Sequence, residues 1–352
     1  FNHLHIFCDP EPDIAKSYKE RKRLFDNVMG WDQYDTKLLS KGGRIYSRHD
    51  KLLELTPQIK KAFDIEANKV TPHELMKAML KADVDLLWFG GIGTYIKSED
   101  ESHADASDKA NDLIRINGKD VRAKAVCEGA NLGVTQRGRI EYAKRGGRIN
   151  ADFIDNSGGV DSSDHEVNIK ILLNEVMREE NTKLPLKKRN TLLAKMTDDV
   201  AKLVLKHNYQ QAQAISLAEF KAKEHLQAHA ALIDEFESSG VFERELEYLP
   251  DAEEIDRRRR AGEGLTRPEI GVLSSYAKII FTKKLLDNDF LDVPELSYWA
   301  VDYFPKAMQK QYRDEILNHR LRREIIATRI ANSVINRMGP DFVRSRVIKT
   351  GM

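Results

Sequence analysis

Up to about residue 180, short β-rich runs alternate with helical patterns, and each run stops on a cluster of Gly, Asn or Asp; beyond that point only amphipathic helical patterns follow. This switch of period limits the fold more than any single motif. The runs are His3 to Cys8, Val84 to Phe89, Ala123 to Cys127 and Ile149 to Ile154. They show little inside-outside alternation, as strands covered on both faces do, so a parallel, doubly wound α/β sheet is expected. Helices are expected over Ile14 to Phe25, from Thr71 to about Ala82, over Arg137 to Lys144, and from Ser163 to about Met177. Thr71-Pro72-His73-Glu74 and Ser163-Asp164-His165-Glu166 both read as capping boxes, in which a hydroxyl and a Glu three residues on exchange bonds with each other's backbone amides. Gly30 to Arg48 reads as a long loop.

In the second half, Leu193, Met196, Val200 and Val204 fall on one helical face, as do Ile270, Leu273, Ala277 and Ile280, and Ile326, Ile330, Val334 and Met338. Thr266-Arg267-Pro268-Glu269 heads the second of these with a further capping box. Two domains follow: an α/β domain over 1–180 and an all-α domain over 181–352. Linkers are expected at Asn181 to Pro185 and at Asp251 to Gly264, the latter a solvated loop carrying Arg257 to Arg260.

Charge and cysteine content exclude several functions. With 57 Lys and Arg against 56 Asp and Glu, the formal net charge is +1, so no nucleic-acid partner is implied. No apolar run approaches the roughly 20 residues needed to span a bilayer, and membrane insertion is not expected. Cys8 and Cys127 cannot form a disulfide framework, and a reducing cytoplasm is the expected compartment. His165-Glu166 lacks the second His of a zinc-protease motif, no other metal spacing stands out, and there is no GxSxG; no metal site and no covalent nucleophile are expected. The opening Phe1 lies inside a strand pattern, so the chain reads as a piece of a longer protein.

Open parallel sheets bind ligands at the carboxyl ends of their strands. The exits here are Asp9-Pro10, Gly90-Gly91, Glu128 to Asn131 and Asn156 to Gly159. Short side chains there let backbone amides approach a ligand closely. Asp9 suits the ribose hydroxyls of a dinucleotide, or simply starts a turn. Gly90-Gly91-Ile92-Gly93 fits neither a Walker loop nor GxGxxG.

Cys127-Glu128-Gly129-Ala130-Asn131, followed by Asn156-Ser157-Gly158-Gly159-Val160 and Ser163, resembles the cofactor-domain signature of amino-acid dehydrogenases of the glutamate dehydrogenase type. Asp85 to Lys97, Glu128 to Ile140, Gly147 to Leu173 and Leu265 to Glu269 resemble the large bacterial NAD-specific members, over nearly the whole chain. The resemblance implies an NAD-binding domain of Rossmann type, here without its first strand and Gly-rich loop, and a helical C-terminal region. It implies oxidative deamination of L-glutamate to 2-oxoglutarate and ammonia in glutamate catabolism, with NAD as hydride acceptor and a homo-oligomer as the working form. Asp9, Gly90, Gly91, Glu128, Asn131 and Asn156 would contact the cofactor. Gly159, Val160 and Ser163 would line the substrate pocket, the serine hydroxyl bonding the distal carboxylate. The catalytic lysine and aspartate belong to an upstream domain, so this piece alone would be inactive. Gly90-Gly91 replaces the usual Ala-Ala-Ser, and of the Gly-Pro-Thr-Thr-Pro run that normally follows Asn131 only Thr135 is kept. The alternative is a nucleotide-binding or regulatory module that transfers no hydride.

Overall fold

A computed structural model describes residues 1–178 and 184–344. They belong to two compact units, Phe1–Asp152 and Phe153–Met352. The division falls upstream of 180 because the last helix of the expected α/β domain packs on the helices that follow it. The linker expected at Asn181 to Pro185 lies largely outside the described residues.

The first unit runs β1 (His5–Cys8), α1 (Ile14–Asp26), β2 (Arg44–Ser47), β3 (Leu53–Glu54), α2 (Pro57–Phe63), β4 (Lys69–Val70), α3 (Pro72–Leu80), β5 (Leu86–Phe89), β6 (Ile96–Lys97), β7 (Ile116–Asn117), β8 (Ala125–Glu128) and α4 (Gln136–Lys144). The helices begin where side chains satisfy their unpaired amides. Asp13 accepts from Lys16 N at 3.0 Å, and the Thr71–Glu74 capping box forms as its spacing predicts. The strands pair two by two: β5 with β8 and β6 with β7 in parallel, β1 with β2 and β3 with β4 antiparallel. The result is a mixed α/β unit; no continuous doubly wound sheet forms among the described residues. β1 takes its partner from within the stretch expected as a loop, Arg44 to Ser47. The run at Ile149 to Ile154 is not a strand. Arg148 makes a single parallel bridge to Ala125, and the chain then turns into the short helix α5 (Asp152–Asp155).

Two apolar clusters fill this unit, one around Ile6, Leu53, Ile59 and Leu75, the other around Phe89, Val126, Val134 and Ile149. Each fully buried aliphatic side chain contributes roughly 1.5 to 3 kcal/mol.

The second unit is helical: α6 (Ser157–Arg178), α7 (Leu186–Phe220), α8 (Leu226–Ser238), α9 (Ala252–Ala261), α10 (Arg267–Leu286), α11 (Ser297–Tyr303), α12 (Lys306–Gln309), α13 (Arg313–Leu317) and α14 (Arg322–Met338). None of the helices is long and apolar enough to cross a membrane. The supposed second linker is a helix, α9. Asp251 caps it, Glu253 and Glu254 sit in its first turn, Arg258 to Arg260 in its last, and left-handed Gly262 closes it, an order that complements the helix dipole. Arg258 is buried, donating to both oxygens of Glu269 at 2.8 Å each and to Glu254 at 2.8 Å. Glu269 is also the acidic member of the Thr266 capping box, so one carboxylate joins the start of α10 to α9.

In the first unit Glu20 fixes α1 to the loop that follows it. Its carboxylate takes Arg23 at 2.6 and 2.9 Å and the Asp35 amide at 2.8 Å. The Arg23 bonds, then the amide, hold its pKa down at about 2, against 4.5 for a free Glu. A depressed carboxyl contributes stability that is fully present above the unfolded value and lost as pH falls toward the folded one. Urea unfolding at about pH 6 and about pH 3 should therefore show a loss of stability that Glu20→Gln reduces; identical pH profiles for both proteins would refute this role.

Candidate functional site

The parallel pair β5 and β8 ends in register, Phe89 beside Glu128. The chain leaves β5 through Gly90 and Gly91, and β8 through Gly129, Ala130 and Asn131. The amides of Gly129 and Ala130 donate to Phe89 O at 2.8 and 3.0 Å, so the two exits form one ledge. Trp88 lies against this ledge: a Cβ at Gly90 would stand 2.2 Å from its ring, and one at Gly129 2.7 Å. A Cβ at Gly91 would meet nothing within 4 Å, so this position faces open space. Asn131 is exposed at the outer end of the ledge.

Glu128 shapes the ledge from beneath. It is fully buried, and its two oxygens take Arg139 Nε at 2.7 Å and Nη2 at 3.0 Å, with the Val134 amide at 3.1 Å. Burial pushes its carboxyl upward against the pull of Arg139. Arg139 also reaches Asp152 at 3.1 Å, and Asp152 accepts the Leu132 amide at 2.9 Å. Leu132 sits in the left-handed region at φ 63°, a conformation costing a branched residue roughly 1 to 2 kcal/mol. Thr94, whose hydroxyl donates to Leu132 O at 2.8 Å, holds it from the other side. Thr94 is fixed in turn by Asp108, which takes its amide at 2.7 Å, and by buried Arg115, which donates to its carbonyl at 2.8 Å.

Asp9 lies elsewhere in this unit, at the end of β1, which is antiparallel to β2 and not a neighbour of β5. One carboxylate oxygen accepts the Ser40 amide at 2.9 Å; the other is buried without a partner. Such an orphan acceptor suits a ribose hydroxyl.

The remaining expected residues belong to the second unit: Asn156 immediately precedes α6, and Gly159, Val160 and Ser163 lie on it. This helix begins at Ser157, six residues before the expected cap. Ser163 is therefore not an N-cap: its hydroxyl donates to Gly159 O at 3.3 Å inside the helix. The earlier start places Asn156, Gly159, Val160 and Ser163 within two turns, with the last three exposed. Val160 is 72% exposed.

The opposite stripe, Asp161, Asp164, His165 and Asn168, anchors the helix. Asp161 takes His207 Nδ1 at 2.9 Å. Tyr303 donates to Asp164 at 2.6 Å and accepts from Asn168 at 2.9 Å, and His319 donates to Asn168 O at 3.1 Å. His165 is fully buried, stacked on Tyr303 at 4.4 Å with neither nitrogen hydrogen-bonded; burial lowers its pKa. Ser157 is held by Asn208 at 2.8 Å.

The ledge, Asp9 and the α6 patch thus account for all nine expected residues. Glu128 alone among them turns inward, to Arg139. The sequence reading missed Arg139, Asp152 and Arg115, which act by holding the ledge. Neither Cys8 nor Cys127 is in a disulfide.

The β5 and β8 exits form a ledge in the first unit, and in the second unit α6 turns Gly159, Val160 and Ser163 to solvent. The family model for the bacterial NAD-glutamate dehydrogenase catalytic domain matches residues 1–218, and that for the glutamate dehydrogenase C-terminal region matches 262–352. The chain belongs to the bacterial NAD-glutamate dehydrogenase family. It is 49% identical over 352 residues to the NAD-specific glutamate dehydrogenase of Halomonas elongata, 50% identical over 353 to that of Pseudomonas aeruginosa, and 43% identical over 346 to that of Mycobacterium tuberculosis. All, or in the last case 96%, of this chain is covered. It spans only 21 to 22% of the length of these relatives.

Arg139→Ala would leave Glu128 and Asp152 buried without their cation. Breaking such a buried pair typically costs about 3 to 5 kcal/mol, and chemical denaturation should show a loss of that size. A change below about 1 kcal/mol would mean that the pair does not hold the ledge.

Proposed function

We propose that this chain is the cofactor-binding part of an NAD-dependent glutamate dehydrogenase that oxidises L-glutamate to 2-oxoglutarate and ammonia. The observation that carries the reading is the ledge: two strand exits side by side, open space at Gly91, and exposed Asn131 next to a strained Leu132. NAD supplies the hydride-accepting nicotinamide ring when bound. Gly90, Gly91 and Asn131 receive its riboside end, Asp9 the adenosine ribose, and Asn156 adds a carboxamide from the start of α6. In the full-length protein the β5–β8 pair forms part of a doubly wound sheet, and residues 1–180, with α6 as the last helix, form the cofactor domain. The carboxylate of Asp9 would repel a 2′-phosphate, favouring NAD over NADP.

Gly159, Val160 and Ser163 contribute the substrate-facing surface. Gly159 leaves room, Val160 packs on the glutamate methylenes, and Ser163 exchanges its long bond to Gly159 O for one to the distal carboxylate. The residues that move protons lie upstream, so the chain by itself binds and orients without turning over. Region 181–352 supports assembly of a homo-oligomer working in the cytoplasm.

NAD-dependent oxidation of L-glutamate by the full-length protein tests this. Ser163→Ala should lower kcat/KM for glutamate tenfold to a hundredfold, about 1.5 to 3 kcal/mol for a hydrogen bond to a charged group. Unchanged kcat/KM would remove Ser163 from the pocket. Absence of glutamate turnover in a folded, NADH-binding protein would replace the enzyme by a non-catalytic nucleotide-binding module.

A further inference from the structure

We propose that His225, His229 and Asp341 form a binding site for a divalent transition-metal ion, Zn2+ by preference, joining the start of α8 to the segment that follows α14. The sequence reading expects no metal site, since the carboxylate lies more than a hundred residues from the two histidines. The fold brings the three together. His225 and His229 stand one helical turn apart, the His229 amide donating to His225 O at 2.9 Å. Asp341 follows Gly339 and Pro340, which end α14.

One contact in the cluster is a hydrogen bond and the other is left unmade, an arrangement that an ion would complete. His225 Nδ1 is 2.9 Å from Asp341 Oδ2, and His229 Nε2 is 3.6 Å from Asp341 Oδ1. Ligands bound to tetrahedral zinc at about 2.0 to 2.1 Å stand about 3.3 Å apart, midway between these values. All three ligand atoms lie within 4.8 Å of one another. The second distance is too long for a hydrogen bond, and Asp341 Oδ1 is buried with no other partner. His229 is 1% exposed. A buried imidazole and a buried carboxylate oxygen that face each other without bonding leave a place for a cation. Two imidazoles and one carboxylate are a borderline donor set that suits Zn2+ rather than Mg2+ or Ca2+. His225 is about half exposed, which gives the ion a route in and a water its fourth ligand.

The other cluster of this kind, Asp161, His165 and His207, differs. Its short contact, 2.9 Å from His207 to Asp161, matches the 2.9 Å His225–Asp341 bond, but its second histidine, His165, lies 4.0 Å from the carboxylate and is stacked on Tyr303. It serves as the internal control.

Full-length protein, stripped by a chelator, is titrated with Zn2+ and with Co2+, whose visible absorption reports tetrahedral coordination. The expected result is binding that His225→Ala and Asp341→Asn each weaken at least about 100-fold, at the upper end of what losing even an outer-sphere partner costs. Zn2+ should raise the thermal midpoint of the wild type and leave both variants unmoved. His225 is a surface residue, so its variant keeps the test valid if Asp341→Asn fails to fold. The proposal is overturned if no metal binds, if both variants bind as the wild type does, or if binding is lost only with His207→Ala.

Discussion

The buried contact between Glu128 and Arg139 is the interaction on which the candidate cofactor surface depends. Glu128 closes β8, Arg139 lies on α4, and Asp152 joins from the point where the chain turns into α5. One guanidinium therefore fixes the end of a strand, the turn after it and the start of the next element. Burying three charges is costly, and such groups are retained where they specify one geometry rather than where they add stability. Here that geometry is the left-handed turn at Leu132, held by Asp152 from one side and by Thr94 from the other. Strain is sustained because the surrounding contacts over-determine it.

In the second unit the same principle works through a helix. On α6 the residues at i, i+3, i+4 and i+7 from Asp161 form a polar stripe bound to His207, Tyr303 and His319, while Gly159, Val160 and Ser163 are turned to solvent. A helix with a wholly apolar inner stripe can slide or rotate at small cost. Directional bonds to fixed partners remove that freedom, and the exposed face inherits the precision of the buried one.

Elements defined by local chemistry were legible in the sequence. The capping boxes at Thr71 and Thr266, helix α1 and the strands β5 and β8 lie where spacing and residue type put them. The strand exits were found because glycine and asparagine cluster there. The elements misread are those where local pattern competes with distant partners. Ile149 to Ile154 has a strand's composition, yet Asp152 is needed by Arg139 and Leu132, and the chain turns helical. Ser163 has a cap's spacing, yet α6 is continuous from Ser157. The four arginines resemble a solvated loop until the acidic first turn and basic last turn of α9 are read together, a signal that was available. Pairings across the chain, Arg139 with Asp152 or His229 with Asp341, leave no one-dimensional trace; only the i, i+4 spacing of His225 and His229 could have been noticed.

Affinity for NADH in the full-length protein carrying Gly91→Val tests the cofactor surface most directly. A Cβ at this position meets nothing within 4 Å beyond its chain neighbours, so folding and thermal midpoint should change little, and an effect on binding would come from the space outside the ledge. The account predicts a loss of affinity of at least about tenfold, roughly 1.4 kcal/mol. Unchanged affinity in a stable variant would contradict it and would place the nucleotide away from the β5 exit.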